Sequence, residues 1–155
     1  MYKRQLPFGF TLGAGGRSLL INGIVDVHAT EGERILVVDY KSNRLDGQQP
    51  ADITEAAYST QRLVYALAAL RAGASEVEVV YVFLERPTEP VSSVYPAAEA
   101  AALESELLGL VRGVVEGRFD PTDRPHRALC AGCPGRVALC SWDETHTLAE
   151  EPPPA

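Results

Sequence analysis

The chain has 155 residues, of which 46% are hydrophobic and 23% charged, and its formal net charge is −7. This composition is ordinary for one soluble globular domain, while the acidic balance argues against a broad basic surface, so any grip on nucleic acid must be local or supplied by a partner. No run approaches about 18 apolar residues and the N-terminus lacks an apolar signal core, so we expect no membrane span, no secretion and a reducing cytoplasm.

The first part of the chain predicts a β-hairpin after an irregular start. Residues 1–17 are rich in glycine and contain one short apolar run, so we expect no regular element there. Residues 19–28 and 34–41 are rich in Ile and Val, which favours strands. Gly32, between them, is a residue that suits a tight turn.

A helix is predicted next. Asp52 as N-cap and Glu55 three residues later form a capping-box pattern. The helix should run to about Arg71, because Gly73 stands where a glycine commonly ends a helix.

Two strands and a second helix complete the predicted core. Residues 77–85 are apolar enough for a central strand, and residues 92–96 suit a short partner strand. Residues 97–117 predict a helix. Its expected buried stripe consists of Leu103, Leu107, Leu110, Val111 and Val114.

The element order β–β–α–β–β–α predicts an α/β fold with a mixed sheet. We expect this core to occupy residues 1–128. A cysteine-bearing, metal-binding tail should follow at residues 129–146, and residues 147–155 should be disordered.

The hairpin carries three charged residues that an apolar strand would normally avoid: Asp26, Asp39 and Lys41. Asp39 and Lys41 are two apart and therefore share a strand face. A Gly32–Glu33 turn would put Asp26 opposite Asp39, and a Glu31–Gly32 turn would make them diagonal neighbours, in either case within roughly 5–8 Å. A three-residue turn would separate them.

Two carboxylates this close repel unless one is protonated or a cation lies between them. A hard divalent ion such as Mg²⁺, or Mn²⁺, suits their oxygen ligands, and the Tyr40 carbonyl could add a third oxygen. Lys41 would then orient or deprotonate a water, or stabilise the charge on a phosphate under attack. The alternative is a surface hairpin with a charged outer face.

The first predicted helix adds Gln61 and Tyr65, which are four residues apart and share a face, with Tyr58 on the preceding turn. A Gln side chain can hold a water or a phosphate, and a Tyr hydroxyl can hold a phosphate. The alternative is a half-buried amphipathic stripe.

Three motifs in this order resemble the RecB-like branch of the PD-(D/E)XK nucleases, which are exonuclease domains joined to recombination helicases: GIVD (23–26), VVDYKS (37–42) and QRLVY (61–65). The resemblance covers residues 6–95. It implies a restriction-endonuclease-like core, metal-binding carboxylates at Asp26 and Asp39, and a metal-binding carbonyl at Tyr40. It also makes Lys41 the catalytic lysine and places Gln61 and Tyr65 beside the site.

The family has a helix before the hairpin, often with a His or Glu at the metal site, and this chain begins too late to contain it. His28 shares a strand face with Asp26 and could approach the metal; the alternative is an exposed or hydrogen-bonded histidine. The missing helix implies a sheet face left bare. We therefore expect an inactive fragment, or a homodimer formed through that face.

All three cysteines, Cys130, Cys133 and Cys140, lie in one segment that begins with a C-x₂-C spacing. One branch of the same nucleases uses three such cysteines and an upstream fourth to hold a [4Fe–4S] cluster, which this resemblance implies for the full-length protein. Zn²⁺ is the alternative, with His126 or His146 as the fourth ligand. Three free thiols are a further alternative.

The resulting hypothesis is a metal-dependent DNA exonuclease domain of a recombination or repair helicase–nuclease. The second hypothesis is a non-catalytic domain of the same fold that binds DNA ends or acts as a scaffold. An α/β enzyme of unrelated class would need a substrate pocket that the sequence does not reveal.

Overall fold

A computed structural model describes residues 2–14, 16–118 and 122–151. The chain divides into two compact units, Met1–Arg118 and Phe119–Ala155. Each unit is described by itself. Within the described ranges, no helix is long and apolar enough to cross a bilayer.

The first unit is built on a mixed sheet of five strands, ordered as in the chain. The strands are β1 (Tyr2–Ala14), β2 (Arg17–Glu31), β3 (Arg34–Lys41), β4 (Glu76–Phe83) and β5 (Val91–Pro96). β3 and β4 run parallel, and the other neighbouring pairs are antiparallel. The predicted α/β class with a mixed sheet is confirmed.

Helix α1 (Pro50–Arg71) connects β3 to β4, and α2 (Ala100–Glu116) follows β5 after one 3₁₀ turn, Ala97–Glu99. One hydrophobic core lies between the two helices and one face of the sheet. β4 shows the alternation most clearly, since every second residue from Val77 to Phe83 is buried. Parallel pairing to β3 and a position inside the sheet explain why this strand is so apolar.

The prediction of an irregular start is wrong, because residues 2–14 form β1. Phe8, Phe10 and Leu12 alternate with small or polar residues and pack against the core, which is the period of a strand. Phe8 lies directly over Gly23 of β2, where an added Cβ would come within 2.7 Å of the ring. The glycine in the GIVD segment thus makes room for an aromatic side chain of the neighbouring strand.

The turn between β2 and β3 is the Gly32–Glu33 alternative, because Glu31 pairs with Arg34. Gly32 has a φ of 60°, which suits a glycine. This pairing puts Asp26 level with Asp39.

The predicted capping box is wrong. α1 begins at Pro50 with Gln49 as N-cap and no side-chain cap. Proline at the first helical position sets φ and has no N–H to satisfy, so Asp52 falls inside the first turn and favours the helix through its charge instead. The C-terminal prediction is confirmed, since Gly73 has a φ of 101° two residues after Arg71.

The predicted stripe of α2 is only partly confirmed. Leu103 and Leu107 are buried and Val111 packs against the core, but Leu110 and Val114 are 59% and 47% exposed. The buried line follows residues four apart, and Leu110 falls beside it.

The second unit contains two short helices, α3 (Arg127–Cys130) and α4 (Glu144–Thr147). Asp143 caps α4 by accepting a hydrogen bond from the His146 backbone. Part of the segment 147–155, which was expected to be disordered, is ordered. Thr147 is buried in α4, and the Ala149 carbonyl accepts a hydrogen bond from the Arg127 backbone N–H. Residues 152–155 lie outside the described ranges.

Candidate active site

Asp39 and Lys41 lie at the end of β3, on the face that meets the helices. Asp39 is 5% exposed, and its Oδ1 lies 2.6 Å from the Lys41 ammonium. Their spacing of two residues makes this contact possible along one strand. The side chain of Lys41 is itself only 11% exposed, so both charges are largely removed from water.

Gln61 and Tyr65 of α1 complete a closed set of hydrogen bonds with this pair. Lys41 donates to Gln61 Oε1 at 2.7 Å, and Gln61 Nε2 donates to the Tyr65 hydroxyl at 3.0 Å. Tyr65 in turn donates to Asp39 Oδ2 at 2.8 Å. We call Asp39, Lys41, Gln61 and Tyr65 the Asp39 network. Each member was predicted from sequence as a site residue.

Burial raises the pKa of Tyr65, and the hydrogen bond to Asp39 and the charge of that carboxylate raise it further. The Tyr65 hydroxyl therefore keeps its proton at any ordinary pH and acts as a donor. Both Asp39 oxygens are then engaged, one by an ammonium and one by a hydroxyl. A buried carboxylate needs such partners to remain charged.

Asp26 lies where the side-chain alternation of β2 shifts by one residue. Val25 packs in the core, whereas Val27 borders a groove beside Tyr40, on the other face of the sheet. The β1–β2 pairing skips Asp26 and its counterpart Gln5, which has a φ of 50°. Such a bulge re-aims the residue that it contains.

The re-aimed Asp26 carboxylate accepts a hydrogen bond from the Tyr40 backbone N–H at 3.0 Å. It takes the place of a ladder carbonyl, since the β2–β3 pairing ends at Val27 and Val38. Standard bond lengths then put Asp26 Oδ2 within about 5.5 Å of the Asp39 Cα. The charge of Asp26 also contributes to the raised pKa of Tyr65.

The oxygen chemistry of this acidic pair suits a hard divalent ion. The described residues contain no group of three or more His, Cys, Asp or Glu side chains arranged for a metal. The pair has two carboxylates, so a third protein oxygen would have to be a carbonyl such as that of Tyr40. Each carboxylate has lone pairs beyond the bonds described, so the residues fit the ion that sequence predicts.

His28 lies apart from the acidic pair. It borders an apolar cavity of about 270 Å³ with Val25, Val37 and Tyr65, under α1. Its Nδ1 is buried without a hydrogen-bond partner, and burial lowers its pKa. The predicted exposed position does not apply, since His28 is half-buried. The shifted alternation at Asp26 explains why the two residues do not share a face.

Two residues around Lys41 were not predicted as site residues: Tyr58 and Tyr81. The ammonium lies 3.9 Å from the centre of the Tyr58 ring and 5.2 Å from that of Tyr81. Helix spacing placed Tyr58 one turn before Gln61 but gave no link between its ring and Lys41. Tyr81 is level with Asp39 in the parallel pairing of β3 and β4, a relation that appears only once the strand order is known.

The cysteines of the second unit are free thiols, Cys130 half-buried and Cys133 and Cys140 exposed. They form no metal site within the described residues. His126 is buried and its Nδ1 has no partner, while His146 Nδ1 lies 2.7 Å from Asp143. Of the two histidines considered for zinc, His126 is thus the one whose nitrogen is not already engaged.

A family model described as the PD-(D/E)XK nuclease superfamily matches residues 2–140. Among solved structures, the chain is similar to one described as "Crystal structure of SSO0001", with a TM-score of 0.54 and 16% identity. That alignment covers 90% of this chain and 60% of the other, so the chain spans less than two thirds of that relative. At this identity the likeness shows the fold alone. No curated protein matches the chain.

Proposed function

The chain belongs to the PD-(D/E)XK nuclease superfamily, and from this premise we propose that it hydrolyses phosphodiester bonds in DNA with a divalent metal ion at Asp26 and Asp39. The observation that supports this most is the ion pair between Asp39 and Lys41, held in place by Gln61 and Tyr65. A buried amine and carboxylate, positioned beside a second carboxylate, are the groups that metal-assisted hydrolysis needs.

Mg²⁺ or Mn²⁺, when bound, would supply a Lewis acid and a more acidic water. Asp26 and Asp39 would hold it, with the Tyr40 carbonyl as a further oxygen. Lys41 presents a positive charge beside the carboxylates, where negative charge develops on a phosphate under attack. Gln61 and Tyr65 orient Lys41 and Asp39, so that neither has to reorganise during the reaction.

We propose further that the chain represents the RecB-like branch, an exonuclease that works in the cytoplasm with a helicase in recombination or repair. The order of the GIVD, VVDYKS and QRLVY motifs supports this assignment. The net charge of −7 supports a module that receives its strand from a partner, because it provides little general attraction to DNA. Self-association through the sheet face opposite the helices also stays a prediction.

The test is cleavage of linear single- and double-stranded DNA with Mg²⁺ or Mn²⁺. Lys41→Ala should reduce the rate constant by about a thousand-fold or more, since a preorganised charge is lost from a water-poor site. Lys3→Ala is the matched control, because Lys3 is the other lysine of the chain and is exposed. Equal cleavage by the parent and Lys41→Ala would overturn the proposal.

The second candidate function is a non-catalytic domain that binds DNA ends or serves as a scaffold. One observation favours it: the Asp39 network satisfies both Asp39 oxygens with protein donors alone. Cleavage of linear DNA by the parent chain would support the first function. Binding of linear DNA without cleavage under either metal would support the second.

For the cysteine tail we propose a [4Fe–4S] cluster, with Zn²⁺ as the alternative. The C-x₂-C spacing and the free thiols support it, whereas the described arrangement does not yet gather three ligands. No catalytic step is assigned to this group. An anaerobic visible absorption spectrum distinguishes a coloured iron–sulfur cluster from colourless zinc, and metal-free protein would overturn both.

A further inference from the structure

The Lys41 ammonium is held from three sides. Two are hydrogen-bond acceptors, Asp39 Oδ1 at 2.6 Å and Gln61 Oε1 at 2.7 Å. The third is the face of the Tyr58 ring, whose centre lies 3.9 Å from Nζ. An ammonium has three N–H groups, so the ring lies where the third would otherwise need water or another acceptor.

The Tyr58 ring is itself fixed. It stacks on Tyr81 with ring centres 5.6 Å apart and an angle of 24°, and Tyr81 is fully buried. The Tyr58 hydroxyl donates to Asn43 Oδ1 at 3.1 Å, and the Tyr81 hydroxyl donates to the Tyr58 carbonyl at 3.3 Å. Asn43 follows β3 and Tyr81 belongs to β4, so the ring is anchored to the strand that carries Lys41 and to its neighbour.

We propose that Tyr58 is a positioning residue for Lys41, and that its ring face holds the ammonium beside Asp39 for the hydrolytic step. Attraction between a cation and an aromatic face is strongest where water is excluded, and the Lys41 side chain is 11% exposed. Unlike a second carboxylate, the ring adds no charge that would compete with Asp39 for a metal. Tyr81 stacks on the same ring, and its own ring centre lies 5.2 Å from the Lys41 ammonium. This inference rests on the proposed function, in which Lys41 acts in hydrolysis.

The contact has a direct readout that does not depend on cleavage. Protons over an aromatic face are shifted upfield, so the Lys41 ε-methylene signal should lie upfield of an ordinary lysine in a ¹H–¹³C spectrum. The chain has two lysines, Lys3 and Lys41, so a Lys3→Arg background leaves one lysine signal and assigns it. Tyr58→Phe should keep the upfield shift, and Tyr58→Leu should remove most of it.

The second readout is the rate constant for DNA cleavage under single turnover. Tyr58→Leu should lower it about ten-fold at saturating DNA, with the DNA concentration for half-maximal rate changed less than about two-fold. Tyr58→Phe keeps the ring face and should stay within about two-fold of the parent. A ring that only fills the core would change the unfolding temperature and leave this rate constant as it is.

Each outcome decides a different point. A Lys41 signal at the ordinary lysine position in the parent chain overturns the contact, even if Tyr58→Leu fails to fold. A lost upfield shift with an unchanged rate constant overturns the positioning role, and an equal loss of rate in Tyr58→Phe assigns the effect to the hydroxyl instead. A parent chain that cleaves no DNA with either metal overturns the proposed function, while the ring shift still decides the contact.

Discussion

The Asp39 network and the cysteine tail with its flanking residues differ in whether their buried polar side chains have hydrogen-bond partners. In the network, Asp39, Lys41, Gln61 and Tyr65 satisfy one another through contacts of 2.6–3.0 Å. In the second unit, at residues that flank the tail in sequence, His126 Nδ1 and Thr147 Oγ1 are buried without hydrogen-bond partners. An unpartnered buried polar atom costs about 1–3 kcal/mol. Folding alone therefore specifies the geometry of the network, whereas the described contacts leave the tail less completely specified.

This difference is consistent with what each region is proposed to hold. Hydrolysis needs groups that are in place before the substrate arrives, because reorganisation during the reaction would raise its barrier. A structural metal can instead supply part of the folding free energy of its own site when it binds. The variants below change one region at a time, from the largest expected effect to the smallest.

Tyr65→Phe should break the network most sharply. It removes the donor to Asp39 Oδ2 and the acceptor of Gln61 Nε2 without changing the shape of the ring. We expect the free energy of unfolding to fall by about 1–3 kcal/mol and the cleavage rate constant to fall at least about ten-fold. Urea unfolding and single-turnover cleavage measure the two effects.

Tyr2→Phe is the control for this variant, since Tyr2 is 57% exposed and its hydroxyl accepts a surface hydrogen bond from Arg4. If Tyr65→Phe and Tyr2→Phe lowered the free energy of unfolding equally, the hydrogen bond to Asp39 would contribute no more to stability than a surface hydrogen bond. An unchanged cleavage rate in Tyr65→Phe would separate the network from catalysis.

Gly23→Ala should disturb the Asp39 network through the packing of Phe8 on Tyr65. The added methyl would come within 2.7 Å of the Phe8 ring, which packs edge-on against Tyr65 with ring centres 5.9 Å apart. Overpacking of this kind typically costs about 1–3 kcal/mol, and moving Phe8 displaces the support of Tyr65. Gly9→Ala provides the comparison, because its nearest atom would lie at 3.8 Å. Thermal unfolding should separate them; a Gly23→Ala protein as stable as Gly9→Ala would contradict the close contact.

The smallest effect belongs to the cap of α4 in the tail. Hydrogen bonds from Thr145 and His146 lower the pKa of Asp143 below its ordinary 3.8. A lowered pKa in the folded state means that the stabilisation is present above pH 3.8 and is lost as the pH falls below that value, when the carboxylate takes up a proton. Hydrogen exchange at the His146 amide should accelerate over that acidic range, and Asp143→Asn should remove the pH dependence. An Asp143 carboxyl that titrates at its ordinary value by NMR would refute the cap.

The Asp39 network could be predicted because its members obey short-range rules. The spacing of two along a strand placed Lys41 beside Asp39, the spacing of four along a helix joined Gln61 to Tyr65, and Gly32 set the turn that aligned the hairpin. These local periods do not depend on what packs elsewhere, and the resemblance to known nucleases joined the two pairs into one site.

What could not be predicted depends on contacts between distant segments. β1 is stabilised by packing of Phe8 and Phe10 on β2 and the helices, which outweighs the low strand preference of its glycines. Tyr81 joins the site only because β3 pairs in parallel with β4. The alternation rule fails at Asp26, since it assumes an uninterrupted strand.

The β1–β2 pairing skips Gln5 and Asp26, and this break in the ladder limits which deletions the sheet can tolerate during evolution. The β1–β2 pairs on either side of it keep the same register, so the two strands carry one surplus residue each at the same level. Loss of either residue alone would slip the remainder of that strand and turn its side chains to the wrong side. Loss of both would leave an ordinary ladder without the acid. The two positions are therefore expected to be gained or lost together among relatives, which makes the length of β1 a marker for whether the acid is kept.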